Sequence, residues 1–262
     1  MNKFYIQIAL FLLSIFAYAN NETLAAEPAP GENTKPLSRI ATPEEVYEKN
    51  KHLLCSGRKH TRVTKIMNEA VKQLEYYATS TDGYEVYAQS PNDSISYYVK
   101  KIDDETSILK VHLNIYASSQ YDYIINRLWD PNSPNIFNKG RARVARVFNP
   151  NLLQILQICD KDSEHYQKYF CAFVSKAEIS KDKTIIAMTS SNTSDKNRSN
   201  IEHENPILKN TYTFVDFIYT KEHYTNEIYK KVHVNLAGYL IEKKGDDLEI
   251  TYIESIKGHS SI

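Results

Sequence analysis

The chain is poor in the residues that many reactive loops need. Its 262 residues include 7 Gly, few for loops whose backbone closes around phosphate. The 3 Cys (Cys55, Cys159 and Cys171) are too few and too dispersed for a disulfide framework, and no CxxC occurs. One pair can close, most simply Cys159 with Cys171, leaving one thiol free. The 32 basic and 32 acidic side chains cancel. That balance argues against nucleic acid and against a constitutive polybasic membrane patch, since both want a clustered basic excess. No HExxH, GxSxG or P-loop sequence is present. His203-Glu204 and Glu222-His223 set acids beside histidines, but without the i, i+4 helical spacing of metal ligands, so they read as solvated side chains. No enzyme, metal site or cofactor is expected. Beyond residue 16 no apolar run approaches the roughly 20 residues that span a bilayer.

What is present is apolar and aromatic. Apolar residues make up 42% of the chain, enough for a real core, and Tyr is frequent at 20. A tyrosine brings an apolar body and a polar tip, which suits a half-wet cavity. Plain compositional bias gives the same count. Residues 1–19 read as a secretory signal, with Lys3, an apolar stretch over 6–16 and the small-x-small Ala17-Tyr18-Ala19; a second cut fits after Ala26. The mature protein is expected to be soluble and to leave the cell that makes it. Residues 20–41 are rich in Pro, Glu and Thr and read as a disordered linker. Asn21, Asn92, Asn192 and Asn197 head N-x-S/T sequons, which mark surface loops at most.

The folded part is expected from residue 42. Thr42, Pro43 and Glu45 form a helix start with a capping box. Val63, Ile66, Met67, Ala70, Val71, Leu74, Tyr77 and Ala78 fall at helical spacings and predict one long amphipathic helix. The period then changes to two, and strands are predicted at 84–88, 95–99 and 109–115. A short helix carries Ile124, Ile125, Leu128 and Trp129 and stops at Pro131. Further strands follow near 141–148, 152–158, 166–179, 184–190, 212–219, 232–242 and 248–256, the last closing a hairpin at Gly245-Asp246-Asp247. A polar loop covers 190–206. The order is not alternating βαβ, so an α+β class is expected: a curved antiparallel sheet of about nine strands with helices on its concave face.

That order, with Leu128-Trp129-Asp130-Pro131 after the third strand, resembles a START domain, a helix-grip lipid-binding module. The resemblance is closer to the fam-a proteins of rodent malaria parasites, a secreted START-like family. It rests on MNKFYIQIALFLLSIF at the start, ATPEEVYEKNKHLLC (41–55), LEYYATSTDGYE (74–85), LWDPNSPNIFNKG (128–140), FNPNLLQI (148–155), ISKDKTIIAMTS (179–190) and VNLAGYLIEKKGDDLEITYIESIKGH (234–259). Together these cover nearly the whole chain. The resemblance implies a START-like domain over 42–262. It also implies phospholipid binding or transfer, with phosphatidylcholine as the expected class, transient contact with a membrane surface, and export to the host cell or the parasite-containing compartment. START domains close their cavity with a C-terminal helix. This sequence runs only to Ile262, so it reads as C-terminally truncated, with a protein partner as one way to close the groove. Lys35-Pro36-Leu37 is a degraded form of the basic-x-Leu export signal.

Candidate ligand contacts follow from chemistry. Trp129 offers a ring face for a choline headgroup; the plain alternative is a packing anchor at a helix end. Tyr116, Tyr166 and Tyr169 are further candidates for an aromatic cage. Arg143 and Arg146 are placed on opposite faces of one strand, so one of them can point inward and pair with a phosphate. Val111, Leu113 and Ile115, with Leu109, are cavity wall or plain core. The competing reading is an exported host-interaction or antigenic protein that keeps the fold without a working lipid cavity.

Overall fold

In a computed structural model the described residues are 40–90, 94–133, 140–161, 167–190, 203–208 and 229–257. The signal segment, nearly all of the linker, the four sequon asparagines, Tyr166, Glu222-His223, the strand expected at 212–219 and the residues after 257 lie outside them. Helix α1 spans Pro43–Lys49. Its capping box is formed as expected: Glu45 N–H donates to Thr42 Oγ1 (3.3 Å) and Thr42 N–H to Glu45 Oε2 (2.9 Å). Helix α2 spans Arg58–Thr79 and α3 spans Tyr121–Trp129.

Ten strands form one sheet among the described residues. They are β1 (Glu85–Gln89), β2 (Ile95–Lys101), β3 (Ser107–Ile115), β4 (Gly140–Asn149) and β5 (Leu152–Lys161), then β6 (Gln167–Ser180), β7 (Lys183–Ser190), β8 (Tyr229–Lys231), β9 (His233–Lys244) and β10 (Asp247–Lys257). The order is β1-β2-β3-β10-β9-β7-β6-β5-β4, all antiparallel, with the three-residue β8 pairing in parallel with β6. The expected class holds, a curved antiparallel sheet of the helix-grip kind.

The helices, expected together on the concave face, divide between the two faces. Alternation along the strands sorts the core into two clusters. On one face α2 packs Val63, Met67, Ala70 and Leu74 against Phe173, Ile185, Leu236 and Leu240. On the other, α1 and α3 pack Val46, Ile124, Ile125 and Trp129 against Leu109, Val111, Ile186, Tyr239 and Tyr252. The α2 end is tied down by Lys110 of β3, which is 6% exposed. Its ammonium donates to the Ser80 carbonyl at 2.6 Å and sits 4.1 Å from the centroid of the Tyr84 ring.

All three cysteines are free. Cys159 and Cys171 cannot close because their side chains lie on opposite faces, one with the α3 cluster and one in a small cluster with Leu156 and Tyr169.

Candidate binding site

The site lies where α3 ends against the sheet. Pro131 disfavours helical backbone at Asp130, and Asp130 is extended (φ −67, ψ 114). Its Oδ1 accepts from the Asn132 backbone and side-chain amides, both at 2.9 Å. This turn holds the α3 C-terminus over β5, β6, β7 and β9. Beneath it is a cavity of about 80 Å³. Its floor is largely apolar, with Leu153, Ile155, Val174, Ile186 and Met188. Its rim is Arg127, Leu128, Trp129, Asp130, Pro131 and Ser133. Gln157, Tyr239 and Tyr252 bring the polar atoms from the sheet.

Two features set the chemistry. Trp129 is 2% exposed and its Nε1–H is buried without a hydrogen-bond partner. Such a donor costs about 1–3 kcal/mol when left unmade, so an acceptor from a ligand would relieve it. The rings of Tyr239 and Tyr252 meet at a tilt of 43°, with centroids 5.1 Å apart. The Tyr252 hydroxyl donates to Glu254, a carboxylate only 2% exposed. Burial first, and the Glu254 charge second, push both tyrosine hydroxyls well above their ordinary range, so both stay neutral donors.

Nothing in this arrangement activates a nucleophile. Burial pushes the Cys159 thiol up to about 11, the opposite of a reactive thiolate. No histidine or cysteine is among the described residues that line the cavity. No group of three metal-ligating side chains occurs among the described residues.

Of the described residues expected at the site, only Trp129 lines the cavity. Val111, Leu113 and Ile115 belong to the core on the same face, further along the sheet. Tyr116 is 76% exposed, away from the cavity. Tyr169 is buried on the opposite face. The two arginines require a correction. Bulges in β4 at Val144/Arg146 and Val147/Asn149 shift the alternation. Arg143 pairs with Leu156 and Arg146 with Gln154, while Val144 pairs with Ile155 on the cavity side. Both arginines therefore share one face, and it is the face turned away from the cavity. Arg146 donates to Gln154 Oε1 at 3.4 Å.

Arg127, Gln157, Tyr239 and Tyr252 were not anticipated. The tyrosine pair had a signal: both sit at apolar-face positions of β9 and β10, directly opposite each other in the last hairpin. Arg127 and Gln157 had none, because one is an ordinary helix-end cation and the other an isolated polar residue in an apolar strand.

Fold and site define a helix-grip domain whose cavity lies beneath a short helix. No family model matches the chain, and no curated protein matches it. Among solved structures it is similar to human STARD10, at 11% identity and a TM-score of 0.47 over 73% of this chain and 68% of that one. It is also similar to human StAR-related lipid transfer protein 5, at 10% identity and a TM-score of 0.49 over 75% and 82%. A third is the lipid transfer and protein localization domain of human StarD13, at 14% identity and a TM-score of 0.42 over 72% and 83%.

Proposed function

We propose that this is a non-catalytic lipid-binding or transfer module of the fam-a type, exported from the cell, with phosphatidylcholine as its ligand. The observation that carries the reading is the apolar cavity under α3, with a buried, unpartnered indole donor on its rim. A lipid ester or phosphate oxygen satisfies that donor.

The cavity of about 80 Å³ is smaller than the roughly 300–1,000 Å³ of ordinary ligand sites. Binding therefore requires α3 to lift. Exposing Tyr121, Ile124, Ile125 and Trp129, all buried, costs roughly 6–12 kcal/mol at about 1.5–3 each. Measured from water, two acyl chains with about 30 CH₂ groups contribute roughly 24 kcal/mol in return, and one chain only about half of that. A diacyl lipid opens the site with a wide surplus; a lysolipid covers the cost with little to spare.

The test is native mass spectrometry with lipid extraction on the chain from residue 20 onward, after incubation with phosphatidylcholine liposomes. Stoichiometric phosphatidylcholine supports the reading. A folded but empty protein overturns it and leaves the second reading, an exported host-interaction or antigenic protein, which the small cavity volume favours.

Trp129→Phe separates two modes of recognition. It keeps an aromatic face but removes Nε1–H. Lipid retention is expected to fall about tenfold, while the empty protein changes little in stability, because loss of an unpaired buried donor offsets the buried volume removed. Unchanged retention would favour contact through the ring face alone.

A further inference from the structure

We infer that the outer edge of β4, with the segment laid along it, is a docking surface for an anionic phospholipid membrane. Two stretches build it. Residues 49–68 hold Lys49, Lys51, Arg58, Lys59, Arg62 and Lys65 and no acidic residue. Strand β4 adds Arg141, Arg143 and Arg146, again with no acidic residue. The fold joins the two. Leu54 bridges Val147, the Cys55 N–H donates to the Val147 carbonyl at 2.8 Å, and His60 stacks on Phe148 with centroids 6.1 Å apart. The register places all three β4 arginines on the face that α2 covers. Arg143 lies five residues from Phe148, about 16 Å along the strand at ~3.3 Å per residue.

The neutral total charge of the chain hides this segregation. Lys49, Arg58, Arg62, Lys65, Arg141 and Arg143 are exposed and have no ion-pair partner among the described residues. A balanced total charge therefore does not exclude a local basic patch.

Leu54 selects the partner. It is 48% exposed and lies between Lys51 and Arg58. A bilayer surface accepts both chemistries together: the aliphatic side chain enters the headgroup boundary while cations meet lipid phosphates. A nucleic-acid backbone has no use for the leucine. The surface lies outside the cavity and does not depend on a lipid being held there.

The test is cosedimentation of the full mature chain with vesicles of phosphatidylcholine alone or phosphatidylcholine with phosphatidylserine. Binding is expected only when phosphatidylserine is present, and it should weaken as salt is raised. Each basic residue at an anionic surface is worth about fivefold in affinity. Arg62→Gln and Arg143→Gln are each expected to weaken binding about fivefold, and the double variant about twenty-five-fold. Both side chains are exposed, so folding is preserved, and circular dichroism checks it. Leu54→Ser should weaken binding without changing its salt dependence. Equal binding to both vesicle types overturns the inference. So does an effect of Arg62→Gln with none from Arg143→Gln, because then the two stretches are not one surface. Tighter binding to heparin than to phosphatidylserine vesicles also overturns it, in favour of a soluble polyanion. A protein that holds no lipid yet binds these vesicles leaves this inference standing and removes only the cavity reading.

Discussion

Gly238→Ala is expected to destabilise the domain by roughly 3–5 kcal/mol, enough to unfold much of it. Gly238 sits in β9 with φ +141, a region that side-chain-bearing residues rarely adopt. A Cβ there would lie 1.9 Å from the Ile186 carbonyl oxygen and 2.8 Å from Leu74 Cδ1. The first clash is with backbone of the neighbouring strand; the second is with α2. Backbone strain of about 1–3 kcal/mol adds to overpacking of about 1–3 kcal/mol. Urea denaturation at neutral pH measures the change. The double variant Gly238→Ala/Leu74→Ala should not recover stability, because the strand carbonyl remains in the way and Leu74, fully buried, is lost as well. Wild-type stability for Gly238→Ala would mean that α2 is not seated on β9 as described.

Acid should unfold the protein earlier than its carboxylates alone would. His233 of β9 stacks on His203 with centroids 4.4 Å apart, and its Nδ1 is buried without a hydrogen-bond partner. Burial first, then the His203 charge and those of Lys231 and Lys257, lower its pKa to about 3. His203, which meets Asn235 Oδ1 through Nε2 at 2.8 Å, is lowered as well, chiefly by burial. The unfolded chain, with histidine near 6.5, then binds more protons than the folded one between about pH 6.5 and 3. Stability is full above pH 6.5 and falls as pH drops through that window. At pH 5 the full linkage for His233 is about 2 kcal/mol; the partly exposed ring reduces it to roughly 1–2 kcal/mol. His233→Phe keeps a stacked ring and removes the proton site. The loss between pH 7.5 and 5 should shrink by at least half. An unchanged pH dependence would place the acid sensitivity elsewhere, with His112 next, since burial lowers it too.

Local signals made much of the fold legible. The capping box at Thr42, the run from Val63 to Ala78 and the Trp129-Asp130-Pro131 stop are each decided within a few residues, and each formed as expected. The positions of the described strands other than β8 followed from alternation. What did not follow was any property that depends on an extra residue in a strand. The β4 bulges move no element boundary, yet they take both Arg143 and Arg146 out of the cavity. Alternation read from residue numbers assumes an unbroken period of two, and a single bulge inverts it. The division of helices between faces was hidden for a related reason. An amphipathic pattern shows that α2 has a buried side without naming the face of the sheet that it meets. At the site only Trp129 was found in advance, because its position depends on where a helix stops. The remaining polar lining comes from elements distant in sequence.

The place of β10 has a consequence for synthesis. It is the last described strand in the chain, yet it lies inside the sheet between β3 and β9. The pairing of Thr251 with His112 joins residues 139 apart. Until β10 emerges from the ribosome, the β1–β3 meander has no neighbour on its inner side, and β9 shows an unpaired edge. The two halves of the sheet cannot be sealed before nearly all of the described chain exists. Until then the two halves of the sheet stay open to each other, and the late strand acts as the latch that joins them.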